Sequence, residues 1–335
     1  MLRAYEMSPI VKSRLLLVAK LAILALTVWF VRRSIVDGWD KLRQQIDAGL
    51  WSPASLNWPL LVAAGAFYSL GQMPFGWFWR RVLRGLGYEL PLAPVLRAYY
   101  VGQLGKYVPG KAMVIVLRGG LLARYGVKPA AAAVSVFYET LTMMAVGSAL
   151  SVGLLLWKFP EQTNWLLAAI VVTIVTGGPT IPGVREFLIR RLRRSSLDSE
   201  SKAGVKRPGF ASLARCWLAV AGGWCLMGLS IATVLQAAGF STSVSWLDQW
   251  AVGTAAAALS VVLGFLSFIP VGLGVREVVL LTILKGTYGE AAALVAAVLV
   301  RLVWLLSEVA VSVILYLWGP KPVAIAPPLA TSPDP

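Results

Sequence analysis

The chain contains no histidine among its 335 residues. This absence excludes histidine as a general acid or base, the Ser-His-Asp triad and histidine metal ligands. The two cysteines, Cys216 and Cys225, are nine residues apart near or within one apolar segment, where we expect them to pack a helix. The GxxxxGK[ST] pattern of a nucleotide-binding loop is also missing. We therefore expect no cofactor, no metal site and no catalytic residues.

Charged residues are scarce as well. They make up 14% of the chain, whereas hydrophobic residues make up 58%, and the mean hydropathy is +0.73. Several apolar runs approach the roughly 20 residues that cross a bilayer core of about 30 Å. The sequence therefore predicts an all-α polytopic membrane protein with about six full transmembrane helices, at residues 15–31, 59–79, 130–157, 165–182, 213–238 and 291–318.

The charge that is present is mostly positive. Lys and Arg number 31 and Asp and Glu 15, which gives a formal net charge of +16. A nucleic-acid-binding protein would need a soluble domain, and no polar segment of this chain is long enough to form one. The excess instead follows the positive-inside rule, with the basic loop 185–212 and both termini on the cytoplasmic side of a bacterial-type inner (plasma) membrane. A phosphate-binding role for that loop is the alternative.

Two similar units interrupt the pattern of full spans. Each has a short apolar segment, a Gly/Pro break and a second short helix, and the prolines of the two breaks both precede an Ala-rich full span by 21 residues. We interpret the units as re-entrant helix hairpins with structural breaks at Pro109, Gly110, Pro270, Gly272 and Gly274. Because three full spans separate the units, the second must enter from the opposite face, which makes an inverted repeat. Alternatively, 246–269 crosses fully and the symmetry is accidental.

The repeat defines the predicted domain organisation. Its halves are about 92–182 and 213–318, and the loop 185–212 connects them. Residues 1–318 form one membrane domain, whereas the Pro-rich segment 319–335 is expected to be disordered. This architecture is typical of alternating-access transporters, whose site lies at the bilayer midplane between discontinuous helices.

Several charged residues lie within apolar segments, where an ionised group costs about a few kcal/mol or more and usually pairs or lines a polar cavity. The breaks begin helices, and helix N-termini favour anions. We therefore predict that a phosphate anion is bound by four cations near the breaks: Lys106, Lys111, Arg118 and Arg276. Two simpler interpretations are that Lys106 and Lys111 snorkel to the membrane interface and that Glu277 neutralises Arg276.

Four further charges are candidates for gating or coupling: Glu139, Glu277, Arg301 and Glu308. When the units are aligned on their breaks, Glu139 falls beside the position of Arg301, one residue out. Glu308 lies two turns after Arg301 on the same helical face. We expect Glu139 and Arg301 to pair. A structural pair that locks the two halves is one interpretation, and a lipid-headgroup or proton site is the other.

Three segments carry a family resemblance: GQLGKYVPGKAMVIVLRGGLL and FYET in the first unit, and IPVGLGVREVVLL in the second. The chain resembles the lysylphosphatidylglycerol synthase transmembrane family, also called flippase-like domain proteins, over roughly residues 15–318. One departure is Thr140, because the family commonly has Glu-Arg where this chain has Glu139-Thr140. Two-domain members carry a soluble aminoacyl-transferase domain after the membrane part. We expect nothing after Trp318 to form such a domain, so synthase activity is not implied.

The resemblance implies a lipid flippase or translocase. It would move an anionic or modified phospholipid, or a polyprenyl-phosphate lipid, between leaflets without ATP. The alternative is a non-transporting membrane partner or scaffold of a lipid-modifying or glycosyltransferase enzyme. A membrane-embedded enzyme is disfavoured, because few groups remain to perform chemistry. Membrane lipids are the expected partners, with a lipid-modifying enzyme as a second one; no nucleic acid is expected, and an oligomer stays open.

Overall fold

The structure is a computed structural model that describes residues 29, 32–33, 36, 38–107, 112–158, 167, 170–171, 173–175, 177, 210–240, 244–267 and 274–318. Within these residues every regular element is an α-helix or a 3-10 turn. The longer helices are α1 (Trp58–Gly85), α2 (Leu92–Gln103), α3 (Ala112–Leu122), α4 (Pro129–Lys158), α5 (Phe210–Ala237), α6 (Trp246–Leu266), α7 (Val275–Tyr288) and α8 (Glu290–Trp318). The 3-10 turns are Pro53–Ser55, Leu104–Tyr107 and Ala123–Tyr125.

Side-chain caps begin two of the long helices. The Asn57 side chain accepts a hydrogen bond from the Leu60 amide at 3.2 Å ahead of α1, whose second residue is Pro59. The Ser245 hydroxyl accepts from the Asp248 amide at 3.3 Å ahead of α6. Each cap satisfies an N–H group that the first helical turn leaves without a partner. The sequence therefore fixes where these two helices start.

The predicted helix positions agree with those observed over most of the described chain. Three predicted spans match α4, α5 and α8 to within three residues at each end: 130–157, 213–238 and 291–318. The short helix predicted at 112–125 is α3 followed by a 3-10 turn. The spans predicted at 15–31 and 165–182 lie mostly outside the described residues.

Four helices among the described residues are long and apolar enough to cross a membrane: α4, α5, α6 and α8. The segment 246–269 is predicted either as one arm of a re-entrant hairpin or as a full crossing, and the 21 residues of α6 are long enough for a full crossing. Helix α1 has 28 residues and is more polar, since it contains Gln72 and ends near Arg80, Arg81 and Arg84. The predicted class, an all-helical membrane protein, is confirmed.

Close glycine contacts join α5 to both of its neighbours. A Cβ atom on Gly71 of α1 would lie 2.9 Å from the Gly223 carbonyl oxygen of α5. A Cβ atom on Gly253 of α6 would lie 2.7 Å from the Gly228 carbonyl oxygen. Small residues let helix backbones approach closely, which matters in a membrane because lipid tails are as apolar as the helices themselves. The backbone of α5 therefore packs directly against the backbones of α1 and α6.

Helices α4 and α6 form an antiparallel pair. The Ser151 hydroxyl of α4 donates to the Ala255 carbonyl of α6 at 3.3 Å, and both groups are buried. At the end of α4, Lys158 forms an ion pair with Asp248 in the first turn of α6. The end of one helix therefore lies beside the start of the other, and residues 112–158 are joined to residues 246–266 along most of α6.

Helices α2 and α8 form a second antiparallel pair. The Ser312 hydroxyl of α8 donates to the Tyr100 carbonyl of α2 at 3.0 Å. Near the end of α8, the Tyr316 carbonyl accepts from the Arg97 guanidinium at 2.9 Å. The first helix of the 92–158 segment thus packs on the last helix of the 246–318 segment.

Candidate functional site

Glu308 of α8 lies at the centre of a buried polar cluster. Only 3% of its side chain is exposed. Its Oε1 accepts hydrogen bonds from the Tyr68 hydroxyl of α1 and from the Lys106 ammonium, and its Oε2 accepts from the Tyr107 hydroxyl at 2.8 Å. A carboxylate at membrane depth needs such partners, because water is not available to solvate it. Three donors from two other elements therefore converge on one acid.

Packing fixes the donors around Glu308. The Tyr68 ring stacks on the Trp304 indole with centroids 4.5 Å apart. Lys106 and Tyr107 belong to the 3-10 turn Leu104–Tyr107, which lies directly on α3. A Cβ atom on Gly105 would lie 2.6 Å from the Val114 nitrogen, so only glycine lets the turn approach α3 this closely. As a result, the Lys106 ammonium and the Tyr107 hydroxyl of the turn contact Glu308 of α8.

Arg276, in the first turn of α7, adds a second cation beside Lys106. Its stem lies against α6, where a Cβ atom on Gly264 would be 3.0 Å from the Arg276 Cδ. The half-buried guanidinium acts electrostatically on Lys106 and on the Tyr107 hydroxyl. Among the residues that the structure describes, no carboxylate forms an ion pair with Arg276.

Glu277, the neighbour of Arg276, is engaged elsewhere. Its Oε1 accepts from the Arg301 guanidinium of α8 at 2.5 Å, and its Oε2 accepts from the Gly274 amide at 2.7 Å. Gly274 has φ 82° and begins α7, so the predicted structural break there is a left-handed turn that glycine favours. Glu277 therefore does not neutralise Arg276, contrary to the simpler interpretation of that dipeptide.

The expected Glu139–Arg301 pair does not form. Glu139 Oε2 instead accepts from Arg118 Nη1 at 2.9 Å, with only 2% and 3% of the two side chains exposed. The Arg118 guanidinium also lies 4.1 Å from the centroid of the Tyr99 ring and 5.0 Å from that of Trp79. The expectation was wrong because it compared depth along the aligned helices, whereas α3 lies beside α4 within one unit and supplies the nearer cation. Arg118 is enclosed and presents no surface to a ligand.

Polar side chains of α1 and α2 lie between the two buried acids. The Gln72 amide nitrogen donates to the Tyr68 hydroxyl at 2.8 Å, and that hydroxyl donates to Glu308. The Tyr99 hydroxyl lies 3.4 Å from both the Gln72 amide oxygen and Glu139 Oε1. None of these three polar side chains was predicted from the sequence. A glutamine inside an apolar run was the available signal, because an amide at that depth needs partners.

A comparison with protein families bears on the whole arrangement. The family model described as the lysylphosphatidylglycerol synthase TM region matches residues 17–312. The match includes every charged residue of the cluster and spans most of the 335 residues. The chain belongs to this family. A comparison with curated proteins finds no match.

Membership of the lysylphosphatidylglycerol synthase transmembrane family confirms the resemblance drawn from the motifs and identifies a membrane protein of a lipid-handling family. The structure shows which arginine contacts Glu139 when Thr140 stands in place of the arginine common in the family. The guanidinium that contacts Glu139 in this family member comes from Arg118 on α3 and not from the residue that follows the glutamate.

Some of the other predicted site residues lie in the described part of the chain, and the rest lie outside it. Lys106 pairs with Glu308, so it does not simply extend to the membrane interface. Five predicted residues lie outside the described part of the chain: Lys111, Pro109, Gly110, Pro270 and Gly272. The cluster that the structure brings together is thus Lys106, Arg276, Arg301, Glu277 and Glu308, with Tyr68 and Tyr107 added.

This family member also has an apolar groove on α1, α5 and α6. Its volume is about 660 Å³, and its lining includes Pro74, Gly222 and Trp250. No charged side chain lines the groove. The groove offers room for apolar chains and is separate from the cationic cluster.

Proposed function

We propose that this protein is a lipid translocase that moves an anionic or modified phospholipid, or a polyprenyl-phosphate lipid, between the leaflets of the membrane. The observation that carries the proposal is the convergence of Lys106 and Arg276 next to Glu308. Lys106 forms an ion pair with Glu308, and Arg276 acts electrostatically on Lys106, so the cluster holds two cations that can bind an anion. Membership of a lipid-handling membrane family supports the same conclusion.

The origin of the two cations supports alternating access. Lys106 belongs to the segment 92–158 and Arg276 to the segment 246–318, so a phosphate held by both lies between the segments. Relative movement of the two segments would then expose the phosphate first to one leaflet and then to the other. Because the two cations belong to different segments, the free energy of phosphate binding would couple this movement to the lipid.

Internal correspondences support an inverted repeat as the basis of this movement. Ser151 and Ser312 each lie 22 residues after the first residue of their helix, and each donates to a carbonyl on the first helix of the other segment. Both interhelical pairs are antiparallel. Arg118 and Arg276 also correspond. The side chain of Arg118 lies against Gly102 of α2, and the side chain of Arg276 lies against Gly264 of α6. A two-fold axis in the membrane plane would relate these contacts.

The remaining features of the proposal follow from the sequence. Transport without ATP is proposed because the chain carries no nucleotide-binding loop, and no enzymatic activity is proposed because it contains no histidine. A bacterial-type inner membrane with both termini in the cytoplasm is proposed from the distribution of Lys and Arg. Membrane lipids are the proposed partners.

Removing the two cations is expected to slow lipid movement. The purified protein would be placed in phosphatidylcholine vesicles with labelled phosphatidylglycerol, and leaflet exchange would be followed by chemical quenching of the outer label. Charge-assisted hydrogen bonds to an ion contribute about 1.5–3 kcal/mol each, so Lys106→Ala and Arg276→Ala should each lower the exchange rate by about tenfold or more. Lys285→Ala is the matched control, because Lys285 forms an exposed pair with Glu290.

Two outcomes would contradict the proposal. If Lys106→Ala and Arg276→Ala both exchange lipid at the wild-type rate, the cluster is not the phosphate site. If the purified wild-type protein does not exchange lipid, and a lipid-modifying or glycosyltransferase enzyme from the same membrane requires it for activity, the chain is instead a non-transporting partner of that enzyme.

A further inference from the structure

Glu308 occupies the place that the proposed lipid phosphate needs. Its carboxylate already takes the Lys106 ammonium and the Tyr107 hydroxyl, which are the two donors of the 3-10 turn Leu104–Tyr107. We infer that Glu308 is an internal substitute anion, which takes up a proton when the phosphate displaces it, so that lipid and proton cross the membrane together. This inference rests on the proposed translocase function and adds its energy coupling.

The burial of the cluster supports displacement from one side. The Glu308 side chain is 3% exposed, whereas that of Lys106 is 23% exposed. A ligand that enters from the membrane or from water therefore meets Lys106 before it meets Glu308. Tyr68 stays behind Glu308, held by its stacking on Trp304 and by Gln72. Glu308 can turn toward Tyr68 while it releases Lys106.

Like-charge repulsion determines which group takes the proton. A phosphodiester and an ionised carboxylate would share the donors of one poorly solvated cluster, and two anions in such a site do not both stay ionised. The phosphodiester is the stronger acid, so the proton goes to Glu308. It comes from hydronium on the side to which the site is open: one O–H bond of hydronium breaks, the O–H bond of the Glu308 carboxyl group forms, and water is left.

The second carboxylate near Glu308 is already held by other partners. The titratable and charged groups around it are Tyr68 of α1, Lys106 and Tyr107 of the 3-10 turn, Arg276 and Glu277 of α7, and Arg301 of α8. Glu277 is held by Arg301 and by the Gly274 amide, so it does not compete for the proton. Glu139 is separated from Glu308 by the Gln72 amide, which does not pass protons, and it keeps Arg118 as its counter-ion.

This exchange makes the transported unit electrically neutral. One phosphodiester charge and one proton enter together. After both are released, the empty site returns to its first orientation with the Glu308 carboxylate again paired with Lys106. Lipid should therefore move with the proton gradient, from the acidic to the alkaline leaflet, whereas a membrane potential alone should not drive it. For one proton per lipid, a gradient of one pH unit shifts the leaflet ratio by about tenfold at equilibrium.

Vesicles with a pH gradient test the coupling. Wild-type protein in phosphatidylcholine vesicles with labelled phosphatidylglycerol should enrich the label in the alkaline-facing leaflet by about tenfold per pH unit. A potassium diffusion potential without a pH gradient should leave the label evenly distributed. Glu308→Gln, which mimics the protonated acid, should lose the enrichment of label that the pH gradient produces. Glu290→Gln, at the exposed start of the same helix, should respond like the wild type.

A measurement on the wild-type protein alone covers the case in which Glu308→Gln does not fold. Addition of short-chain phosphatidylglycerol to the protein in weakly buffered detergent should release no protons and should take up about one per bound lipid. Lipid exchange that ignores the pH gradient, or lipid binding without proton uptake, would overturn the inference and leave the translocase proposal intact. Absence of any lipid exchange by the wild type would overturn both.

Discussion

Replacing Glu139 by alanine is expected to lower the free energy of unfolding by about 3–5 kcal/mol. The Arg118 side chain is 3% exposed, and it would lose its only carboxylate partner among the described residues. A guanidinium cannot lose its charge at neutral pH, so it would remain ionised between Tyr99 and Trp79 without a counter-ion. Unfolding by titration with sodium dodecyl sulfate, followed by circular dichroism, measures the loss.

Two further variants separate the buried charge from other effects. In Arg118→Met/Glu139→Leu both charges are removed, and most of the stability should return, since apolar groups often replace a buried pair at little cost. Glu277→Ala is the matched single variant. Its partner Arg301 is 25% exposed and so less enclosed than Arg118, and the loss should be smaller, about 1 kcal/mol, mainly from the cap at Gly274. Equal losses for Glu139→Ala and Glu277→Ala would show that burial of the pair does not matter.

The second large effect is expected at Gly228, where α5 crosses α6. A Cβ atom there would lie 2.6 Å from the Thr254 Cα, a backbone atom that cannot move without shifting α6. Gly228→Ala should therefore separate the two helices and lower the free energy of unfolding by about 1–3 kcal/mol or more. The same detergent titration measures the change. The near-ultraviolet circular dichroism should change as well, because Trp250 of α6 donates to the Cys225 carbonyl of α5.

Gly222 provides the matched control on the same helix. A Cβ atom at Gly222 would have no heavy atom within 4 Å, and the position is helical. Alanine has a higher helix propensity than glycine, so Gly222→Ala should be neutral or stabilising by up to about 1 kcal/mol. If Gly222→Ala and Gly228→Ala unfold at the same detergent concentration, close packing between α5 and α6 is not a source of stability.

The helices could be predicted because their signals are local. Apolar length set the extent of α4, α5 and α8, and the breaks after Tyr107 and before Gly274 separated the shorter helices. The predicted segment 246–269 likewise agrees with α6, which runs from Trp246 to Leu266. Whether this helix crosses the membrane fully or is a re-entrant arm was left open by the sequence. Local composition cannot distinguish a short full crossing from a long re-entrant arm, because both are apolar helices that end at a break.

The charged residues of the site could be listed from the sequence, but their partners could not. Each was visible as an ionisable group in an apolar run, which is costly unless the group is paired. Alignment of the two units placed Glu139 opposite Arg301. The structure pairs Glu139 with Arg118, 21 residues earlier, and Arg301 with Glu277, 24 residues earlier. Each pair thus joins the long helix of a unit to its own short helix.

The sequence by itself determined that this protein is an all-helical membrane protein, which residues carry charge into the membrane, and to which family it belongs. These properties follow from composition and from short motifs, and neither depends on which helix packs beside which. The tertiary structure alone decided that Lys106 and Tyr107 meet Glu308, that Arg276 stays without a carboxylate in the described chain, and that Arg118 is enclosed. Those contacts depend on lateral packing at glycines such as Gly105 and Gly264, where the absence of a side chain sets how closely two segments approach.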